Sequence, residues 1–222
     1  MTLTMKRESR RILVEGGKAF GVHLAEESVE AFVLFLEELT KWNQKINLTA
    51  IRTEKEIVTK HFLDSLSVHP YLPNACSLLD LGSGAGFPGI PLKIADPTLE
   101  VTLIDSVRKK VDFERHVSRL LRLRGIEAIH GRAEEKGILK RWEGLFDRVV
   151  SRAFADLRTF LRLSHPFLKR GGIALAMKGV PEAEEIQALN EGEEIGYRLR
   201  ETVAFDLPFT SLKRTILLFE KQ

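Results

Sequence analysis

A single cysteine, Cys76, stands in a chain of 222 residues. A lone thiol closes no internal disulfide and holds no metal by itself, and such usage fits a reducing compartment. Long apolar runs are missing too: the longest, Ala31 to Leu36, falls far short of the roughly 20 residues that cross a bilayer. The basic residues Lys6, Arg7, Arg10 and Arg11 are followed by no apolar stretch of signal-peptide length, so a cytoplasmic protein with no membrane partner is expected. No internal repeat is present, and no segment is rich enough in proline, glycine or serine to be disordered. With 44% hydrophobic and 29% charged residues, the composition is that of a folded globular protein. Its length suits one well-cored domain carrying a helical appendage.

Net charge is also small, at +3, with a pI of about 9.0, on the border of the basic balance of nucleic-acid binders. Its distribution says more. Between Ser106 and Gly125 lie Arg108, Lys109, Lys110, Arg115, Arg119, Arg122 and Arg124 against only Asp112 and Glu114, whereas Pro181 to Glu194 holds six glutamates and no base. One basic and one acidic patch are expected, although charge runs also arise as solvated helix faces.

From Met5 to about Pro70 the pattern is helical. Val29, Phe32, Val33, Leu36 and Leu39 recur at three- and four-residue steps, the apolar face of an amphipathic helix. Thr53 and Glu56 have the spacing of a capping box, so a further helix should begin there and run through His61 to about Val68. After Pro73, short apolar runs alternate with glycine turns and amphipathic stretches. Strands are predicted at Ser77 to Leu81, Val101 to Asp105, Ala128 to Ile129, Arg148 to Arg152 and Gly172 to Lys178, with helices between them, which implies a parallel sheet covered on both faces. Tyr197 to Asp206 and Arg214 to Glu220 read as two strands with no helix between, so at least one runs antiparallel. The expected division is a helical subdomain over residues 1–70 and an α/β domain over 71–222. Five parallel strands closed by such a pair, seven in all, resemble the class I (Rossmann-like) methyltransferase fold.

The richest segment is Leu78 to Gly89, a strand running into a glycine turn and then a helix. Such a turn exposes backbone N–H groups to a ligand. Gly84, Gly86 and Gly89 match the G-x-G-x-x-G dinucleotide fingerprint, with Asp105 near the distance expected for a ribose contact. Position within the turn favours a different ligand. Asp80 ends the strand, where its charge would repel a pyrophosphate but suits the ammonium and sulfonium of S-adenosylmethionine. Asp80, Gly82, Gly84 and Gly86 thus form a D-x-G-x-G-x-G pattern, and Asp105 is placed to accept hydrogen bonds from both ribose hydroxyls. Gly131-Arg132-Ala133-Glu134 offers an N–H and a carboxylate for an adenine edge, or simply starts another helix. Both the dinucleotide and a turn with no ligand stay open at this level.

Several separated segments resemble the RsmG (GidB) family: Lys41 to Thr49, His61 to Leu66, Asp80 to Pro91, Asp105-Ser106 with Lys109-Lys110, Ser151 to Ala155, and Met177-Lys178-Gly179. They span most of the chain in the family's order. The resemblance implies methyl transfer from S-adenosylmethionine to N7 of one guanine in 16S rRNA, with the rRNA or the small ribosomal subunit as partner and a monomeric enzyme. Carried over by motif position, the family's cofactor contacts fall on Gly82, Phe87, Ala133, Glu134 and Arg152; Asp80, Gly84 and Asp105 are added from the reading above. Ser83-Gly84-Ala85 departs from the threonine and proline that many members carry around the middle glycine, but small residues keep the turn possible.

N7 of guanine carries a lone pair and no proton, so attack on a sulfonium methyl needs alignment rather than a general base. No acid/base residue is therefore nominated, and no metal. Arg108, Lys109, Lys110 and Lys178 are the substrate candidates, the first three by following the second strand. Lys178 and Arg152 sit at strand ends, where phosphate or carboxylate anchors belong. His61 is expected to pair with Asp64 on a helix remote from the glycine turn, and Trp42 to pack between the N-terminal helices. Two rival functions stand beside methyl transfer: an oxidoreductase using the literal G-x-G-x-x-G, and a non-catalytic RNA-binding or assembly factor.

Overall fold

The computed structural model describes residues 5–152, 154, 156–180 and 195–222. Seven strands form one sheet in the order β3-β2-β1-β4-β5-β7-β6. They are β1 (Ser77–Leu81), β2 (Glu100–Asp105), β3 (Ile126–His130), β4 (Phe146–Ser151), β5 (Leu168–Lys178), β6 (Tyr197–Asp206) and β7 (Lys213–Lys221). The first five pair in parallel, and β7 runs antiparallel to both β5 and β6. The class I methyltransferase-like sheet expected from the sequence, with its antiparallel closing strand, is the one observed. Several boundaries differ: β2 begins at Glu100, β3 spans Ile126–His130 rather than Ala128–Ile129, β4 runs from Phe146 to Ser151 and leaves Arg152 just past the strand, β5 begins at Leu168 rather than Gly172, and β7 is longer by one residue at each end.

Strands buried on both faces carry apolar residues without alternation, and β1 does so: Leu78, Leu79 and Leu81 are all buried. Successive side chains point to opposite faces, so Leu78 joins one apolar cluster and Leu79 and Leu81 the other. The second face is covered by α7 (Lys136–Trp142) and α8 (Leu157–Ser164), through Ile138, Trp142, Leu157, Phe160 and Leu161. On the first lie α5 (Gly89–Ala95) and α6 (Arg108–Leu120), overlaid by the N-terminal helices α1 (Arg7–Ala19) and α2 (Glu26–Ile46). Ile12, Phe32, Phe35 and Leu39 from α1 and α2 belong to the same cluster as Leu78, Val101 and Leu175 of the sheet.

Thr53 caps α3 (Glu54–Ile57), accepting the Glu56 N–H at 3.4 Å, but the Glu56 carboxylate takes the threonine hydroxyl proton at 2.7 Å and not a backbone one. The helix then passes through a π-helical turn, Val58–Leu63, before α4 (Asp64–Leu66). Such turns insert an extra residue and re-aim side chains, and this one carries His61. The chain leaves β1 for β2 and β3 on one side and returns through β4 on the other. Beside this reversal, at the carboxyl ends of the strands, open α/β sheets bind their ligands.

Candidate active site

Gly82, Gly84 and Gly86 adopt φ of 70°, 64° and 85°, the left-handed region that favours glycine. The Gly82 and Ser83 N–H groups tie the turn to Ile104 O of β2, at 2.8 and 3.3 Å. A side chain on Gly86 would run into Ile90 at 2.3 Å, so that glycine serves helix packing; one on Gly84 would meet only Gly82 O at 3.9 Å, so its face is open. Asp105 closes β2 and takes two N–H groups, Gly84 on Oδ2 at 2.9 Å and Val107 on Oδ1 at 2.7 Å. Gly82, Asp105, Ala133 and Glu134 come together, lining one cleft with Ser106, Arg132 and Phe154.

Asp80 and Phe87 are buried and do not line this cleft. Asp80 is fully buried and accepts the Gly89 N–H on Oδ2 at 2.8 Å, which fixes the start of α5, while its Oδ1 accepts no hydrogen bond from any described residue. Burial pushes its carboxyl up to about 7, against the opposing pull of Gly89 and Arg152. Glu114 is buried as well. It takes the Ser83 hydroxyl proton on Oε1 at 2.5 Å, its Oε2 is unpartnered among the described residues, and burial raises its carboxyl well above the usual carboxylate range. Glu114 is not among the residues predicted from sequence. Its signal is legible in retrospect: it occupies the apolar stripe of α6 between Val111 and Val117, both buried.

A second cleft, of about 390 Å³, adjoins the first on the same edge and is lined by Ile51, Lys60, His61, Asp64, Arg152, Met177, Lys178, Gly179 and Arg214. Asp64 is its acid, bridged to Arg152 at 3.5 Å and to Arg214 Nε at 2.8 Å. Arg152 also donates to Lys60 O at 3.2 Å and to His61 Nδ1 at 3.0 Å. A nitrogen that accepts from arginine carries no proton, so the His61 proton sits on Nε2 and is given to Thr49 Oγ1 at 2.8 Å. Burial and the neighbouring Arg152 hold the imidazole neutral, its pKa pushed down to about 3. Lys178 Nζ donates to Phe154 O at 2.9 Å, fixing the segment shared with the first cleft.

Three sequence expectations are corrected here. His61 is not remote from the glycine turn: its ring stacks on Phe87 with centroids 4.5 Å apart and planes 13° from parallel. Its partners are Thr49 and Arg152, while Asp64 turns to the two arginines. Trp42 packs not between the N-terminal helices but on Phe113 and His116 of α6, at 5.5 and 5.1 Å. The basic stretch is not one patch either. Arg108 and Lys109 are exposed in the first turn of α6, and Lys110 lies back towards Asp105 at 4.0 Å. Arg115 is bonded to Ala128 O, and Arg119, Arg122 and Arg124 sit at the far end of the helix, about 20 Å away at 1.5 Å per residue. The acidic stretch Pro181 to Glu194, with Ala153 and Ala155, lies outside the described residues.

A glycine-turn cleft on a methyltransferase-like sheet, beside a basic cleft, narrows the comparison with known proteins. The family model described as GidB, rRNA small subunit methyltransferase G, matches residues 28–206. The chain belongs to this family. A relative from Geotalea uraniireducens, named ribosomal RNA small subunit methyltransferase G, is 44% identical over 218 residues, covering 98% of this chain and 99% of the relative. Among solved structures, TYW2 of M. jannaschii in complex with AdoMet superposes with a TM-score of 0.58 at 16% identity, over 78% of this chain and 80% of that one. A SAM-dependent methyltransferase from Aquifex aeolicus gives 0.57, also at 16% identity, over 74% and 92%. These two establish likeness of fold. No helix among the described residues is long and apolar enough to cross a membrane, and no group of three or more metal-ligating side chains occurs among them.

Proposed function

We propose that the protein transfers the methyl group of S-adenosylmethionine to N7 of a guanine in 16S rRNA, in line and without a general base. The observation that carries this reading is the adjacency of the two clefts on one sheet edge, the first lined by the acids Asp105 and Glu134 and the second by Arg152, Lys178 and Arg214. Asp80, buried with one oxygen unpartnered among the described residues and titrating near neutrality, favours a ligand bearing positive charge. A pyrophosphate would meet its ionised form unfavourably, which argues against the oxidoreductase alternative.

In this reading the cofactor supplies a methyl already activated on a sulfonium. Asp105 keeps lone pairs for two ribose hydroxyls beyond the N–H groups it accepts, since a carboxylate offers about four acceptor positions. Gly82 and Gly84 shape the open face of the turn, Ala133 and Glu134 take the adenine edge, and Asp80 and Phe87 support the turn from below. Arg152, bound to His61 and stacked over the Phe87 ring at 5.1 Å, couples the two clefts and anchors anionic groups. Lys178 and the exposed Arg108 and Lys109 meet RNA phosphates, with Lys110 shared between RNA and Asp105. His61 is neutral and bonded at both nitrogens, and so serves as a strut. Proximity and alignment supply the acceleration.

The test is methylation with tritiated S-adenosylmethionine of 16S rRNA and of small subunits from a strain lacking the gene, with the labelled position mapped. Label on N7 of a single guanine is expected. Label on another atom, or none with a protein that binds the cofactor by calorimetry, sinks the proposal.

A further inference from the structure

We propose that Phe209 is a stacking platform for an unpaired RNA base, presented on the β6–β7 hairpin whose Arg214 lines the basic cleft; the inference rests on the RNA substrate proposed above. Strands β6 and β7 are joined by a tight turn in which the Thr210 N–H donates to Leu207 O at 3.2 Å and the Leu207 N–H to Leu212 O at 2.8 Å. Pro208 takes the second position of that turn and Phe209 the third, with φ of 62°. A positive φ at the third position, after proline, is the hallmark of a type II turn, and glycine or asparagine normally fills it. A bulky aromatic there is a backbone outlier, and outliers of this kind gather at functional sites.

Burial does not explain the residue. Phe209 is 47% exposed, while both ends of the turn are anchored. Leu207 is fully buried, Phe205 meets Phe20, just past α1, edge-on at 5.5 Å, and Arg214 is held by Asp64. The ring therefore stands on a rigid base and faces solvent. Its location is the ligand edge: Thr215 of β7 pairs with Lys178 at the end of β5, so the preceding turn projects beyond the carboxyl ends of the parallel strands. The same hairpin carries Lys213, exposed opposite Asp206, and Arg214, which lines the basic cleft. An exposed ring on a hairpin that also carries an exposed lysine offers the pairing that binds single-stranded nucleic acid, the cation meeting a phosphate and the ring a base.

The substitutions Phe209→Gly, Phe209→Leu and Phe209→Trp test this, assayed on small subunits from a strain lacking the gene and on a single-stranded oligoribonucleotide. Glycine and leucine should raise the KM for the subunit and weaken the oligonucleotide by about 5- to 150-fold, the effect of losing one base stack. The S-adenosylmethionine Kd should stay unchanged, and tryptophan should keep wild-type behaviour. Glycine suits the φ of 62°, so its variant should melt no lower than wild type. Wild-type KM and oligonucleotide affinity in the leucine or glycine variant overturns the inference, as does a lowered melting point in the glycine variant with KM restored by leucine. A wild-type protein that binds the oligonucleotide through Phe209 but labels no guanine overturns the methyl-transfer reading and leaves the platform standing.

Discussion

The two clefts on the carboxyl edge of the sheet are put together in opposite ways. The first is framed by backbone at the ends of neighbouring strands: Gly82 after β1, Asp105 and Ser106 at β2, Gly131 to Glu134 after β3, and the N–H groups that Asp105 gathers in. The second is built from side chains that meet only in the fold, with Asp64, Arg152 and Arg214 on three separate elements. A cleft of the first kind tolerates change at most side chains but not in its backbone. One of the second kind depends on single residues whose loss leaves an uncompensated charge.

The largest effect that would break this contrast is expected at Asp64. Asp64→Ala leaves Arg152 and Arg214 without their acid, and urea unfolding should show a loss of about 3 kcal/mol, the lower end of the range for breaking a buried pair, because both arginines retain some exposure. Stability close to wild type would mean that the two cations are satisfied by solvent. Next comes Asp105→Ala, which strips the acceptor from Gly84 and Val107 and from the ribose; calorimetry should find S-adenosylmethionine weaker by about 1 to 3 kcal/mol, and an unaltered affinity would place the ribose elsewhere.

The carboxyls under the turn give a smaller, pH-dependent effect. A cationic ligand favours ionised Asp80, whose carboxyl titrates near 7 in the free protein, so affinity should rise as pH rises through that value, by at most about tenfold between pH 6 and 8. The same raised value gives stability the opposite slope. The folded state holds this proton up to about 7 and the unfolded chain only up to 3.8, so this contribution is complete at low pH and declines between those values. In Asp80→Asn, which can still accept the Gly89 N–H, both dependences should flatten. Smallest is the effect of neutralising Arg108 and Lys109 together. If each cation meets one phosphate, their removal should lower the slope of log RNA affinity against log salt by roughly 1.4 to 1.8, with cofactor affinity unchanged; an unchanged slope would make the first turn of α6 a solvated face.

The same contrast governs what can be read from sequence. β1 is legible to the residue because its burial is two-sided and Gly82 ends it, and the turn's left-handed glycines follow from local spacing. β3 reads short because it carries Glu127 and His130 at the edge of the sheet, where apolar patterning fades. The start of β5 reads late because Lys169, Arg170 and Gly171 are exposed at its beginning. The basic cleft is only half legible. Arg152 and Lys178 stand at strand ends, but nothing near Asp64 in the chain announces Arg214, and no local pattern reveals that a π-helical turn brings His61 onto Phe87.

The bridge from Asp64 to Arg214 also sets an order in time. The two residues are 150 positions apart, and at 5–20 residues per second a ribosome needs roughly 8 to 30 s to travel from one to the other. Through that interval the nascent chain can complete the glycine turn and its parallel strands while Asp64 waits for one of its two arginines. The basic cleft gains its Arg214 wall only when the final strand leaves the ribosome, so a chain cut short before β7 would leave Asp64 with Arg152 alone.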